Sequence, residues 1–198
     1  MPEKQTAVIE TQPGTSARFQ KDEALAKQVR RNPEAFSELY LRHVKSIYRY
    51  HLARTGLVED AQDLTAQTFL AALENIETYR GQRSFLSWLF GIASHKVADH
   101  YRQKRPHVTL ESVEGQTNTH PMMEEIASNR LKIAQVALAL QGISPERAEA
   151  FLLRTFGGLG VTEISEIMGK SEAAVRMLIH RGLCDLRLRL LPTQEVEQ

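Results

Sequence analysis

Apolar residues in this chain recur at three- and four-residue steps almost throughout, and no convincing stretch alternates apolar with polar. That period builds helices and leaves nothing from which to assemble a sheet, so the expected fold class is all-α. Proline and glycine then cut the pattern into segments. Residues 22–31 read as a short helix. Asn32-Pro33-Glu34 supplies a cap, a proline at the first helical position and an acid in the first turn. The helix that follows carries Phe36, Leu39, Tyr40, Val44, Ile47, Tyr48 and Leu52 and stops near Gly56.

A third helix is expected over 58–78, with Leu64, Leu70, Leu73 and Ile76 inward, and residues 79–83 form a loop. Ser84 is placed to cap a fourth helix over 85–105, which Pro106 ends. Residues 107–121 lack apolar periodicity and hold Gly115, Asn118 and Pro121, as an interdomain linker does. Beyond it, helices are expected over 122–140, from the Ser144-Pro145-Glu146 start to 156, over 162–168 and over 171–190, with Gly157, Gly158 and Gly160 in one turn. The domain reading is therefore a disordered tail 1–20, a helical domain 21–106, a flexible linker 107–121, a second helical domain 122–192 and a tail 193–198.

The net charge of +1 conceals a sharp division. Residues 57–79 hold Glu59, Asp60, Asp63, Glu74 and Glu77 with no Lys or Arg, a net of −5. Residues 80–106 hold Arg80, Arg83, Lys96, Arg102, Lys104 and Arg105 against Asp99 alone, a net of +5. Adjacent blocks of opposite sign suit two partners, one of them polyanionic, or else two solvated helix faces.

A helix-turn-helix requires two short helices crossing steeply over a tight turn. Within residues 161–180, Ile164, Val175 and Leu178 supply the shared apolar contact, Ser165 a close approach and Gly169 a left-handed turn. The second helix of such a pair offers its N-terminal half to the major groove. Its outward positions are Ser171, Glu172, Ala173, Arg176, Met177 and His180. Ser171 at the helix start suits a phosphate, Glu172 a cytosine amino group, and Arg176 a guanine or a phosphate. Lys170, Arg181, Arg187 and Arg189 add salt-dependent affinity or lie on a solvated face.

In the first domain Phe85, Trp88, Leu89 and Phe90 crowd one turn, between Tyr79-Arg80 and the basic Lys96 and Arg102. Such an apolar stripe is ordinary core. Aromatics beside a basic face are also what capture of single-stranded DNA needs, because stacking tolerates any base and cations follow the backbone. The residues alone leave both readings open.

The order of motifs resembles that of extracytoplasmic-function sigma factors, the ECF group of the sigma-70 family. The resemblance rests on residues 35–40 and 47–50, on the acidic stretch 59–69, on 79–102, and on 144–187 with Glu163-Ile164-Ser165-Glu166-Ile167-Met168-Gly169. It implies an RNA polymerase sigma factor that recognises promoters and opens DNA for transcription initiation. Asp60, Asp63, Gln67 and Phe69 would dock on the clamp helices of the polymerase core. Tyr79, Arg80, Phe85, Trp88, His95, Lys96, Asp99 and Arg102 would read and melt the −10 element. Lys170, Ser171, Glu172, Ala173, Arg176, Met177, His180 and Arg181 would read −35, with this domain seated on the polymerase flap. The partners implied are core polymerase and promoter DNA, duplex and single-stranded, and an anti-sigma factor is an expectation of the resemblance only. The chain departs from the family at His95, where Asn is usual, and at Gly91, where Arg is frequent, which bears on −10 preference.

No enzyme is expected: no Gly-rich phosphate loop or nucleophile–base grouping is visible. No cofactor or metal is expected, because His43, His51, His95, His100, His107, His120 and His180 show no ligand spacing with a cysteine partner. No apolar run reaches the length of about 18 residues needed to span a bilayer. The polar N-terminus does not read as a signal peptide, and Cys184, a single cysteine, suits a cytoplasmic setting. The rival reading is a two-domain regulator that binds duplex DNA without joining polymerase.

Overall fold

The computed structural model describes the backbone of residues 14–29, 31–103 and 135–190, and every described element is helical. The helices are α1 (Gly14–Gln28), α2 (Glu34–Thr55), α3 (Val58–Glu74), α4 (Phe85–Gln103), α5 (residues 135–141), α6 (Pro145–Thr155), α7 (Val161–Met168) and α8 (Glu172–Leu190), with a 3-10 turn at Ile76–Thr78. The expected linker 107–121, the tail 193–198, residues 104–106 and most of the helix expected over 122–140 lie outside the described residues.

Local chemistry sets the boundaries. Asn32 Oδ1 accepts the Glu34 N–H at 3.1 Å just ahead of α2, and Gly56 closes that helix in the left-handed region. Ser84 Oγ accepts the Ser87 N–H at 3.2 Å, capping α4, and Ser144 Oγ accepts the Arg147 N–H at 3.4 Å with Pro145 in the first turn of α6. α1 starts well ahead of the expected Asp22, within what was read as tail. Its first turns offer few apolar residues, so periodicity carries no signal there.

In the first unit α2 lies central, burying Leu39, Ile47 and Tyr50 completely against Phe85, Leu89, Phe90 and Ala93 of α4. α3 turns only part of the expected face inward: Leu64, and Ile76 just beyond the helix, are buried as expected. Ala61, Leu64, Thr65, Thr68, Phe69 and Ala72 turn inward, whereas Leu70 is 58% exposed and Leu73 is also exposed. Small residues at 61, 65, 68 and 72 let α3 approach α2 closely, and Thr65 and Thr68 hide their hydroxyls by donating to the carbonyls of Ala61 and Leu64. His51 shares this layer, with Nε2 3.1 Å from Thr68 Oγ1. Burial, aided by the charges of His100 and Arg54, pushes its pKa down to about 3, so it stays neutral.

The second unit packs α6 and α7 on α8 around Leu152, Leu153, Ile164, Val175 and Leu186. An Arg147–Asp185 ion pair at 2.6 Å ties α6 to α8. The two units are docked, α6 against α2 and α7 against α4, and their buried residues join in one apolar cluster. Gly157 permits the approach: a Cβ there would stand 2.5 Å from the Leu153 carbonyl oxygen and 3.2 Å from the Phe90 ring.

Candidate nucleic-acid and polymerase interface

The turn between α7 and α8 is held by Gly169 at φ 62°, ψ 36°, a conformation that other residues adopt only with strain. Ile164 and Val175 are fully buried on either side of it, and Leu178 packs against them. Ser171 Oγ accepts the Ala174 N–H at 3.3 Å, capping α8. With one side of α8 spent on this contact, Ala173, Arg176, Met177, His180 and Arg181 all face solvent with Ser171. Glu172 is shared between the helices: it accepts from Thr162 Oγ1 at 2.7 Å and from Arg176 Nη2 at 2.7 Å. The Thr162 bond above all, with the Arg176 charge, holds its carboxyl below the ordinary value. Lys170 turns aside to Glu146 at 2.8 Å, so a phosphate at that position has to displace an existing ion pair.

In the first unit the loop from 79 to 84 and the start of α4 form an aromatic corner. Tyr79 packs edge-on against Phe85 with ring centroids 5.6 Å apart, and Trp88 lies 5.5 Å from Tyr79 and 5.6 Å from Phe85. The Tyr79 hydroxyl donates to the Arg83 carbonyl at 2.9 Å, closing the loop, and Gly81 turns it at φ 71°. Burial raises the Tyr79 pKa, so it remains a neutral donor. Trp88 and Tyr79 are half-buried, Arg80 and His95 are exposed, and Asp99 accepts an ion pair from exposed Arg102 one turn further along α4. Trp88, His95, Asp99 and Arg102 follow one another along α4 at three-, four- and seven-residue steps, with Lys96 partly covered beside them.

Phe85 is a correction to the sequence reading. It has no exposed surface, because the aromatic corner closes over it against His43 at 5.9 Å. It supports Tyr79 and Trp88 and cannot itself stack on a base. Phe69 is a second: 4% exposed, it is packed edge-on by Tyr40 at 4.8 Å and Phe36 at 6.4 Å.

The acidic face of α3 is held in shape by Gln67 Nε2, which donates to Asp63 Oδ2 at 2.7 Å, and by Asp60 against His100 at 3.4 Å. Beside Asp63 and Gln67 stand exposed Leu70 and Leu73, with Tyr40 of α2 adjoining through Phe69. The result is a carboxylate row flanked by apolar side chains, which suits a partner that offers basic and apolar groups together. Sequence reasoning assigned both leucines to the core. The small-residue spacing 61, 65, 68, 72 was the signal that could have turned the helix the right way.

Two family models match the two units: Sigma-70 region 2 over residues 36–107, and Sigma-70, region 4 over residues 133–186. RNA polymerase sigma factor CarQ of Myxococcus xanthus is 30% identical over 166 residues, covering 83% of this chain and 93% of CarQ. ECF RNA polymerase sigma factor BldN of Streptomyces coelicolor is 36% identical over 162 residues. The chain belongs to the ECF group of the sigma-70 family. The BldN match takes in 80% of this sigma factor but 61% of BldN, so the chain spans less than two thirds of that relative's length. Among solved structures, CnrH in complex with the cytosolic domain of CnrY matches at a TM-score of 0.68 and 26% identity, covering 85% of this chain and 96% of the other. Region 2 thus falls on α2 to α4, with α1 ahead of it, and region 4 falls on α5 to α8.

Proposed function

We propose that this sigma factor, which serves promoter recognition in transcription initiation, divides the work between its two units. A first domain over 21–106 opens and holds the −10 region, and a second over 122–192 reads −35 as duplex. The observation that carries this reading is the outer face of α8, where Ala173, Arg176, Met177, His180 and Arg181 remain open to solvent beyond a left-handed Gly169 turn. That is the surface a recognition helix lays in the major groove. Ser171 and the first N–H groups of α8 would fix register on a phosphate, while Arg176 and Glu172 exchange their mutual ion pair for base edges.

Trp88 and Tyr79, supported by Phe85, would receive unpaired bases, with Arg80, His95, Lys96 and Arg102 along the strand and Asp99 orienting Arg102. Stacking, worth roughly 1–3 kcal/mol per base, offsets much of the few kcal/mol that extruding each base costs, and cationic contacts along the strand supply the remainder without nucleotide hydrolysis. Asp60, Asp63 and Gln67 would bind the clamp helices of core polymerase, with Phe69 shaping the face from beneath. The polymerase supplies the chemistry, and the sigma factor is no enzyme of its own. It would act in the cytoplasm. No described helix is long and apolar enough to cross a membrane. An anti-sigma protein is a further expected partner; the matched CnrH structure is itself a complex, with the cytosolic domain of CnrY.

The test is reconstitution. Core polymerase plus this protein, given genomic DNA, should yield transcripts whose start sites share −10 and −35 elements. Duplex binding without any promoter-dependent transcript would overturn the reading in favour of a regulator that never joins polymerase.

A further inference from the structure

Two acidic side chains of α7, in the second unit, lie on the loop that leads into α4 in the first. Glu163, on α7, accepts the Gly160 N–H at 2.9 Å with one carboxylate oxygen and the Ser84 hydroxyl with the other. Ser84 caps α4 at the end of the 79–84 loop. One turn along α7, Glu166 lies 4.0 Å from Arg83 of the same loop. Further along the seam Glu149 of α6 is buried against α2. Its Oε1 accepts the Tyr50 hydroxyl at 2.7 Å and its Oε2 lies 3.5 Å from Arg54 Nη1, which also donates to the Pro145 carbonyl at 3.3 Å. The Arg54 guanidinium sits 5.7 Å from the centre of the Tyr101 ring. Burial and the Glu149 charge both raise the Tyr50 pKa, so the phenol keeps the proton it donates.

A carboxylate and a phenol withdrawn from water in the middle of an interdomain seam are costly unless they meet. When the units part, each regains water. Their pairing therefore acts on the docking equilibrium and not on either fold alone. Beside this contact Ala53, Ala98, Tyr101, Leu140, Ile143 and Ala148 line an open crevice of about 550 Å³ between the units. The seam is thus incompletely filled, as a separable contact is and a permanent core is not.

We infer that the free sigma factor is self-occluded: region 4 docks on region 2, latched by Tyr50–Glu149–Arg54, and carboxylates of α7 occupy the strand-capturing loop until polymerase parts the two. This rests on the proposed role of the 79–102 segment. A strand phosphate approaching Arg83 or Ser84 meets Glu166 and Glu163 first. The apparent affinity of the closed protein for single-stranded DNA is its intrinsic affinity scaled by the fraction open.

The experiment uses the full chain with spin labels on Cys184, exposed on α8, and on a cysteine replacing exposed Glu74 of α3. Pulsed EPR reads the separation of the units. Binding of a fluorescein-labelled, randomised single-stranded oligonucleotide of about 12 nucleotides reads strand capture. The wild type should give one short separation. Glu149→Lys should lengthen it and tighten oligonucleotide binding about tenfold, as expected if the closed form outnumbers the open about ten to one. Tyr50→Phe, which keeps the ring and removes the donor, should move both readouts the same way by less, and it serves should Glu149→Lys fail to fold. A long separation in the wild type overturns the inference. So do variants that open without gaining affinity. If the wild type on core polymerase also fails to bind the oligonucleotide, the strand-capture role of the loop falls, and the inference falls with it.

Discussion

Asp22 of α1 is the most instructive residue to remove. Its side chain is 6% exposed and lies 2.6 Å from Arg42 Nη1 and 2.8 Å from His43 Nε2, both on α2. Burial alone raises a carboxyl pKa, but the hydrogen bonds and charges of His43 and Arg42 together outweigh it and hold Asp22 below the usual carboxylate value. His43 in turn stands against Phe85, so this contact joins α1 to the floor of the aromatic corner. Asp22→Ala removes two charge-assisted bonds, each worth about 1.5–3 kcal/mol. The losses do not add in full. Arg42 is 25% exposed and already pairs with Glu38, so water and a second carboxylate remain for it, whereas His43, almost enclosed, loses its partner outright. A cost of about 2–4 kcal/mol follows, below the range of about 3–5 kcal/mol for breaking a fully enclosed pair.

Urea denaturation followed by Trp88 fluorescence measures this directly, since Trp88 is the chain's one tryptophan and lies in that corner. The acid limb supplies a second check. Asp22 contributes stability in full above its unfolded pKa near 3.8, and that contribution is lost as the pH falls below it toward the depressed folded value. Wild-type stability should therefore fall more steeply than that of Asp22→Ala below about pH 4. A loss under about 1 kcal/mol, or parallel acid limbs, would show that α1 is a loosely held appendage.

Three further outcomes are expected. Arg176→Ala should weaken −35 duplex binding by about 1–2 kcal/mol, less than a free guanidinium forfeits because Arg176 first has to leave Glu172; an unchanged footprint removes it from the interface. Trp88→Ala should abolish permanganate reactivity of the −10 region while −35 binding survives, and a folded variant that still opens the promoter refutes strand capture by Trp88. Asp63→Lys should weaken competition for core polymerase at least fivefold, about 1 kcal/mol, since it reverses a charge and strips Gln67 of its acceptor; undiminished competition marks the α3 face as plain surface.

The turn chemistry of the second unit was legible because it is local. Gly169, Ser144-Pro145 and the apolar trio Ile164, Val175 and Leu178 each act within a few residues of their place in the chain, and each does in the structure what its spacing suggests. The orientation of α3 was not. Leucines outrank alanines and threonines on any hydropathy reading, yet Ala61, Thr65, Thr68 and Ala72 win the inward face because they permit close packing, and Leu70 and Leu73 are left for solvent. Phe69 and Phe85 were credited with contact roles for a related reason: an aromatic's position in a motif does not say which side of the helix faces the partner. The docking of the units had no sequence signature at all. Its bonds join residues as far apart as Tyr50 and Glu149, or Ser84 and Glu163, and no periodicity reaches across such a gap.

That docking also alters what the charge pattern means. The basic block 80–106 looks in sequence like free cations awaiting phosphate, but Arg83 faces Glu166 and Arg102 faces Asp99. In the second unit Lys170 and Arg176 are likewise committed to Glu146 and Glu172. Each such pair is weak and exposed, worth little to stability. Its consequence lies in counterions. The counterions that binding releases come from the phosphates, but a cation already paired with a carboxylate first gives up a pair that salt itself weakens, so its phosphate contact shows a shallower salt dependence. A cation freed beforehand adds about 0.7 to the slope on single strands. Opening the seam frees Arg83 and leaves Arg102 with Asp99. Tyr50→Phe, which opens the seam without adding charge, should therefore bind the oligonucleotide with a salt slope steeper than that of the wild type by less than one phosphate contact, and a tighter but equally salt-dependent complex would show that Arg83 is not among the groups that opening frees.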